Sequence, residues 1–175
     1  MRLEEGMLCI RDAEADDSAQ LVKWWNDGSV MAHAGFPKGL GTTEEQVREK
    51  LARCEQGPKK ILMILFQGTV IGEMNYDVWD AHTAEIGIKI CEKEYQNSGL
   101  GRTVLRMLLR ELFSMGYEKI VLDTNLKNQR AQHVYELLGF QKLRVRENSW
   151  VDQVGELQSS VEYELTPDHF RDSSD

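Results

Sequence analysis

Residues Gln96-Asn97-Ser98-Gly99-Leu100-Gly101-Arg102 form a glycine-rich turn that runs straight into Val104, Leu105, Leu108, Leu109, Leu112 and Phe113, apolar residues spaced as one face of a helix. Helix starts leave backbone N–H groups unpaired and carry partial positive charge, so a turn of this kind suits an anion. Gly99 and Gly101 lack the Cβ atoms that would hold a phosphate away from those amides. The turn predicts a phosphate or pyrophosphate cradle at the start of a long helix. The rest of the sequence decides whose phosphates it holds.

The chain has 175 residues, 41% of them hydrophobic and 29% charged, which fits one α/β domain over 1–166 followed by a tail over 167–175. Cys9, Cys54 and Cys91 are scattered and odd in number, so neither a disulfide framework nor a zinc site is expected, and a reducing cytoplasm fits. His33, His82, His133 and His169 show no metal-ligand spacing. The longest apolar run, Ile61 to Phe66, is too short to span a bilayer, and Met1-Arg2-Leu3-Glu4-Glu5 has no signal-peptide character; no membrane partner is expected. A net charge of −8 argues against nucleic acid, which demands clustered Lys and Arg. It suits a cationic small molecule or peptide instead.

Along the chain, Met7 to Arg11 reads as a short strand, and Asp16-Asp17-Ser18 opens a helix carrying Leu21, Val22, Trp24 and Trp25. A loop over 28–41 follows. Thr42 and Thr43, with Glu45 and Gln46 three residues on, make overlapping capping-box patterns before a helix through Val47 and Leu51 that Gly57-Pro58 stops. Ile61–Phe66 and Val70–Val78 read as strands joined by a Gln67-Gly68 hairpin turn, and Ala84–Ile90 as the next strand. Beyond the glycine turn and its helix, Lys119–Thr124 is a strand and Gln129–Leu138 a helix ended by Gly139. Phe140–Val145 and Val161–Leu165 complete the set.

Two cradles compete. A dinucleotide-binding G-x-G-x-x-G turn would use Gly99 and Gly101, with Asp123 at the offset of a ribose-binding acid. Against it, position 104 is Val, the preceding strand ends nine residues before Gly99, and a β-hairpin precedes it; Asp123 then reads as a strand-end residue. The alternative explains more. Gln96-x-x-Gly99-x-Gly101 resembles the acetyl-CoA signature of the GNAT superfamily of N-acyltransferases. The stretch Asn128-x-x-Ala131-x-x-x-Tyr135-Glu136-x-x-Gly139-Phe140 resembles that family's second signature. The resemblance extends from Leu8 to Leu165. Ile10-Arg11 and Trp24-Trp25-Asn26-Asp27 are similar to its ribosomal-protein-acetylating branch.

The resemblance implies an α/β fold with a twisted, mixed but mostly antiparallel sheet of six to seven strands and about four helices. It implies acetyl-CoA as cofactor, with backbone from Gln96, Asn97, Ser98, Gly99, Leu100, Gly101 and Arg102 on the pyrophosphate. It also implies main-chain contacts from Ile88 and Ile90 to the pantetheine arm, and places Asn128 and Ala131 beside it. Local chemistry independently predicts that Asn128 caps its helix. Tyr135 matches the family tyrosine that protonates the departing thiolate, a task that suits a phenol of pKa about 10; by helical spacing alone it reads as a packing residue, and the flanking Asn128, Ala131 and Gly139-Phe140 favour the acid. Glu85, in an Ala-Glu-Ile context similar to that of a catalytic glutamate in histone-acetylating members, is the candidate base, against an ordinary place on a polar strand face. Glu73 is its reserve, and a water chain without a single base is a further option. Cys91 reads as a buried thiol rather than a nucleophile.

The acceptor implied is a primary amine of a small molecule or a protein N-terminus, in a pocket lined from Trp24, Trp25, Met31, His33, Phe36, Glu73 and Glu85. A non-catalytic acyl-CoA sensor is the alternative, and oligomeric state, a homodimer included, stays open. No metal is expected.

Overall fold

The structure, a computed structural model, describes residues 1–173. Among them, thirteen regular elements follow in chain order: β1 (Arg2–Glu5), β2 (Leu8–Asp12), α1 (Ser18–Trp25), α2 (Gly28–Met31), α3 (Glu44–Gln56), β3 (Lys59–Phe66), β4 (Thr69–Val78), β5 (Thr83–Ile90), α4 (Leu100–Ser114), β6 (Lys119–Asn125), α5 (Gln129–Leu137), β7 (Gln141–Val151) and β8 (Leu157–Leu165). The strands make one sheet in the order β1-β2-β3-β4-β5-β6-β8-β7. All neighbours are antiparallel except β5 and β6. The sheet thus has eight strands rather than six or seven, and five α-helices rather than four. The additional strand is β1, whose Arg2 and Glu4 face solvent at the sheet edge, where charged side chains blunt further pairing and hide the strand pattern.

Local chemistry sets the element ends. Thr43 caps α3 and exchanges hydrogen bonds with Gln46, completing one of the two capping boxes in the sequence. Gln67 and Gly68 take φ of +50° and +80° in the β3–β4 hairpin, the left-handed pair such two-residue turns require. Strand β3 is buried on both faces, which explains its unbroken apolar run: Leu62 and Ile64 join the core under α4 and α5, while Ile61 and Met63 join the core under α1 and α3. Residues from Pro167, read as a tail, lie against this body. Phe170 packs on Phe113 with ring centroids 5.5 Å apart, Arg171 N–H donates to the Leu138 carbonyl, and Asp172 pairs with Arg110 at 2.7 Å.

One irregularity positions the site. Strands β5 and β6 are in register only from Thr83↔Lys119 to Glu85↔Val121. Beyond those partners the two strands are no longer paired, which leaves the edge of β5 from Ile86 to Ile90 facing a gap. No helix among the described residues is long and apolar enough to cross a membrane.

Candidate active site

A cleft of about 1290 Å³ opens at this gap. One end is built by the start of α4. Gly99, at φ +81°, is the N-cap and supplies no side-chain cap to the helix amides. A Cβ added at Gly99 would stand in open space, and one at Gly101 would meet only Ile90 Cγ1 at 3.8 Å, so the glycines keep the approach to the backbone clear. The turn is tied back to β5 by Gln96, whose Nε2 donates to the Ile90 carbonyl at 2.9 Å. The signature glutamine therefore works through its side chain on the fold. Ser98 is exposed and donates to the Tyr95 carbonyl at 2.6 Å, and Leu100 packs on the core; neither lines the cleft.

Ile88, Ile90, Gln96, Asn97, Gly99, Gly101, Arg102, Asn128, Ala131 and Tyr135 do line it. Asn128 caps α5, its side-chain oxygen accepting from Ala131 N–H at 3.3 Å. Arg102, Lys127 and Arg130 add positive charge on this side. A clear helix N-terminus, an unpaired strand edge and these cations fit the anionic diphosphate and the amide-bearing arm of CoA.

The other end is acidic. Asp77 and Glu85 are direct partners across β4 and β5, and Asp123 lies two residues beyond Val121, the β6 partner of Glu85. All three line the cleft. Glu85 is half-buried and accepts from Trp79 Nε1 at 3.0 Å; burial, then the charges of Asp123 and Asp77, raise its carboxyl above the usual range. Desolvation and the charge of Glu162 raise Asp123 likewise. Tyr135 is only 6% exposed, and no hydrogen bond to its hydroxyl is found among the described residues. Burial and the charge of Asp123 push its phenol up to about 12, so the hydroxyl keeps its proton throughout the physiological range.

Five of the residues expected around the acceptor lie elsewhere. Trp25 and Met31 are buried in the core under α1 and α3, and Phe36 packs against that core. Glu73 is 5% exposed, accepting from Trp25 Nε1 at 2.7 Å and from Lys89 Nζ at 3.3 Å. A buried indole N–H needs an acceptor, so the Trp25–Glu73 pair is part of the fold and leaves the cleft to others. Trp24 makes the parallel arrangement with Glu92 at 2.8 Å. Of the expected acceptor set Glu85 and His33 reach the cleft, where Asp77, Asp123 and Trp150 accompany them. Cys91 is buried, and burial pushes its thiol up, away from nucleophilic use.

The sheet split over a glycine-turned helix start defines an acyl-CoA-dependent transferase class of fold. Residues 7–141 match the family described as acetyltransferase (GNAT) domain, and the chain belongs to that family. Over 57 residues, 33% of this chain and 38% of the relative, it is 37% identical to the [ribosomal protein bS18]-alanine N-acetyltransferase of Escherichia coli K12. The chain spans about a third of the length of the curated relatives it matches first (32% and 38%). Among solved structures, the RimL ribosomal L7/L12 α-N-protein acetyltransferase in complex with coenzyme A superimposes with a TM-score of 0.84 at 17% identity, covering 97% of this chain and 99% of that one. The spermidine N-acetyltransferase of Vibrio cholerae in complex with CoA and spermine also gives 0.84, at 20% identity over 94% and 98% of the two chains. At those identities the likeness is one of fold.

Proposed function

We propose that this chain is an acetyl-CoA-dependent N-acetyltransferase that acts directly on a primary amine, of a small molecule or of a protein N-terminus. The observation that carries the reading is the convergence of Glu85 from β5 and Tyr135 from α5 on one cleft whose far end is an open helix start. Relatives named for alanine termini and for spermidine support an amine acceptor.

Bound acetyl-CoA supplies an acyl group activated as a thioester. The turn from Gln96 to Arg102 holds its diphosphate, the free edge of β5 at Ile88 and Ile90 pairs with its amide arm, and Asn128 and Ala131 flank the arm at the start of α5. An alkylammonium has no lone pair, and at pKa about 10 it must lose a proton before it can attack. Glu85 accepts that proton, directly or through a water, and its raised carboxyl makes it a better acceptor than an ordinary glutamate. Tyr135 donates its proton to the departing sulfur.

Thiol release from acetyl-CoA, measured across a panel of primary amines, tests this. Amine-dependent release with a matching acetylated product is expected. Tight acetyl-CoA binding with no release on any amine would overturn the transferase reading in favour of an acyl-CoA sensor.

A further inference from the structure

We propose that Trp79 is a positioning residue for the reaction: its indole N–H grips one oxygen of Glu85, so that the other oxygen is left to take the proton of the incoming amine. The role of Glu85 as base rests on the transferase reading above; the grip rests on geometry. Trp79 Nε1 donates to Glu85 Oε2 at 3.0 Å, and Oε1 carries no hydrogen bond among the described residues. Trp79 is 60% exposed and does not line the cleft, so it holds the carboxylate from outside. Its backbone is fixed in turn. Trp79 N–H donates to the Thr83 carbonyl at 3.0 Å, and Asp80 Oδ1 accepts from the His82 and Thr83 N–H groups at 2.8 Å each, which ties the turn between β4 and β5.

Packing does not impose this contact. Trp24 and Trp25 are buried, and their indole N–H groups need Glu92 and Glu73 as acceptors. The Trp79 indole is exposed enough for water to satisfy it, and it meets the carboxylate of the cleft all the same. A glutamate side chain samples several staggered rotamers when nothing holds it. Glu85 has reason to turn away, because Asp77 faces it from β4 and Asp123 from β6, with Lys59 of β3 one strand beyond Asp77. Like charges opposed across strands repel. His33 and Tyr135 border the same cleft. A hydrogen bond to an ionised acceptor is stronger than one between neutral groups, so the indole also favours the carboxylate form, against burial and the two neighbouring acids. In the step itself an N–H bond of the ammonium breaks, an O–H bond forms at Oε1, and the freed lone pair attacks the thioester carbon. The bond at Oε2 persists throughout.

Two replacements test the grip: Trp79→Phe, and replacement of Trp79 by benzothienylalanine, which keeps the bicyclic ring and exchanges its N–H for sulfur. Trp79 lies outside the core, so neither disturbs packing. In the protein without acetyl-CoA, the Trp79 indole resonance in proton–nitrogen spectra should titrate with the same midpoint as the Glu85 carboxyl carbon, and Glu85→Gln should abolish that titration. Both replacements should raise the Glu85 midpoint by about half a pH unit or more, because each removes a bond that favours the ionised form. The acidic limb of kcat/KM should rise with it. At about pH 8, kcat should fall about tenfold while the Kd for acetyl-CoA stays within about twofold. An indole resonance indifferent to Glu85, an unmoved midpoint, or a limb and kcat left unchanged by benzothienylalanine would each overturn the proposal. The expected titrations without thiol release on any amine would sustain the grip and sink the transferase reading; amine-dependent release with an unmoved limb would do the reverse.

Discussion

Gly35 lies so close to Trp150 that a Cβ on it would stand 2.5 Å from ring atom Cζ3. The contact joins the loop after α2 to β7, and Gln153 at the hairpin tip secures it. Its backbone N–H donates to the Gly35 carbonyl at 2.8 Å, its Oε1 accepts from Lys38 N–H at 2.8 Å, and its Nε2 donates to the Gly39 carbonyl at 2.8 Å. Both sides of this clasp border the cleft, through His33, Ala34 and Trp150. Gly35→Ala should therefore cost about 1–3 kcal/mol, from a left-handed φ of +96° and from the ring. Gly41→Ala is the control: φ is +66° but nothing lies within 4 Å, so only backbone strain of about 1–2 kcal/mol applies. Urea unfolding of both variants gives the difference, and a cost no larger for Gly35 than for Gly41 would deny the clasp its energetic role.

The Trp25–Glu73–Lys89 group makes a contrasting prediction. Glu73 carries charge into a nearly closed site, where its carboxylate is satisfied by an indole N–H and an ammonium. Glu73→Gln weakens both contacts and should lower stability by about 1–3 kcal/mol. Because Glu73 does not line the cleft, KM for the amine should stay near the wild-type value. A loss of turnover in a fully folded Glu73→Gln protein would return Glu73 to the site.

These two cases show where a sequence can be read and where it cannot. The glycine turn at Gly99 and Gly101, the Asn128 cap, the Thr43–Gln46 box and the Gln67-Gly68 hairpin all depend on residues within a few positions of one another, and each forms. Strand β7 runs on to Val151, well past Val145, through its pairing with β8; almost every residue along it is exposed, so no alternation marks that extension in the sequence. The acceptor end was less legible for a different reason. Asp123 reads as a strand end until β6 is set beside β5 and β8, more than thirty residues away in each direction. Trp25 and Glu73 are 48 positions apart, so an aromatic and a carboxylate that look available for substrate are consumed by one another.

The acidic end of the cleft sets a pH dependence of stability. The folded protein raises Asp123 above its unfolded value, by desolvation first and Glu162 second. A raised carboxyl favours folding while it is protonated, below the unfolded pKa. That contribution is lost as pH rises through the folded value, so ionised Asp123 disfavours the fold at neutral pH. Asp123→Asn should accordingly be more stable than wild type at about pH 8, by a few tenths of a kcal/mol given the exposure of this residue to the cleft. The advantage should shrink toward about pH 4, where the wild-type carboxyl regains its proton. Urea midpoints at the two pH values decide it, and a constant difference would mean that charge is not the cause.

Tyr135 stands between structure and chemistry, since its ring contributes to the core while its hydroxyl does not. The ring packs edge-on against Phe140, with centroids 5.7 Å apart, and against Tyr163 at 5.9 Å. Tyr135→Phe keeps those contacts and removes an oxygen that has no hydrogen bond among the described residues, so stability should be unchanged or slightly raised. Catalysis should respond otherwise. Without a proton donor the thiolate must leave unprotonated, and general acid catalysis contributes about 10²–10⁴-fold. The expected result is a kcat reduced by about two orders of magnitude or more, with the Kd for acetyl-CoA held near wild type. Single-turnover measurements isolate that step from product release. Full activity in Tyr135→Phe would remove the hydroxyl from the mechanism and leave Tyr135 as a packing residue.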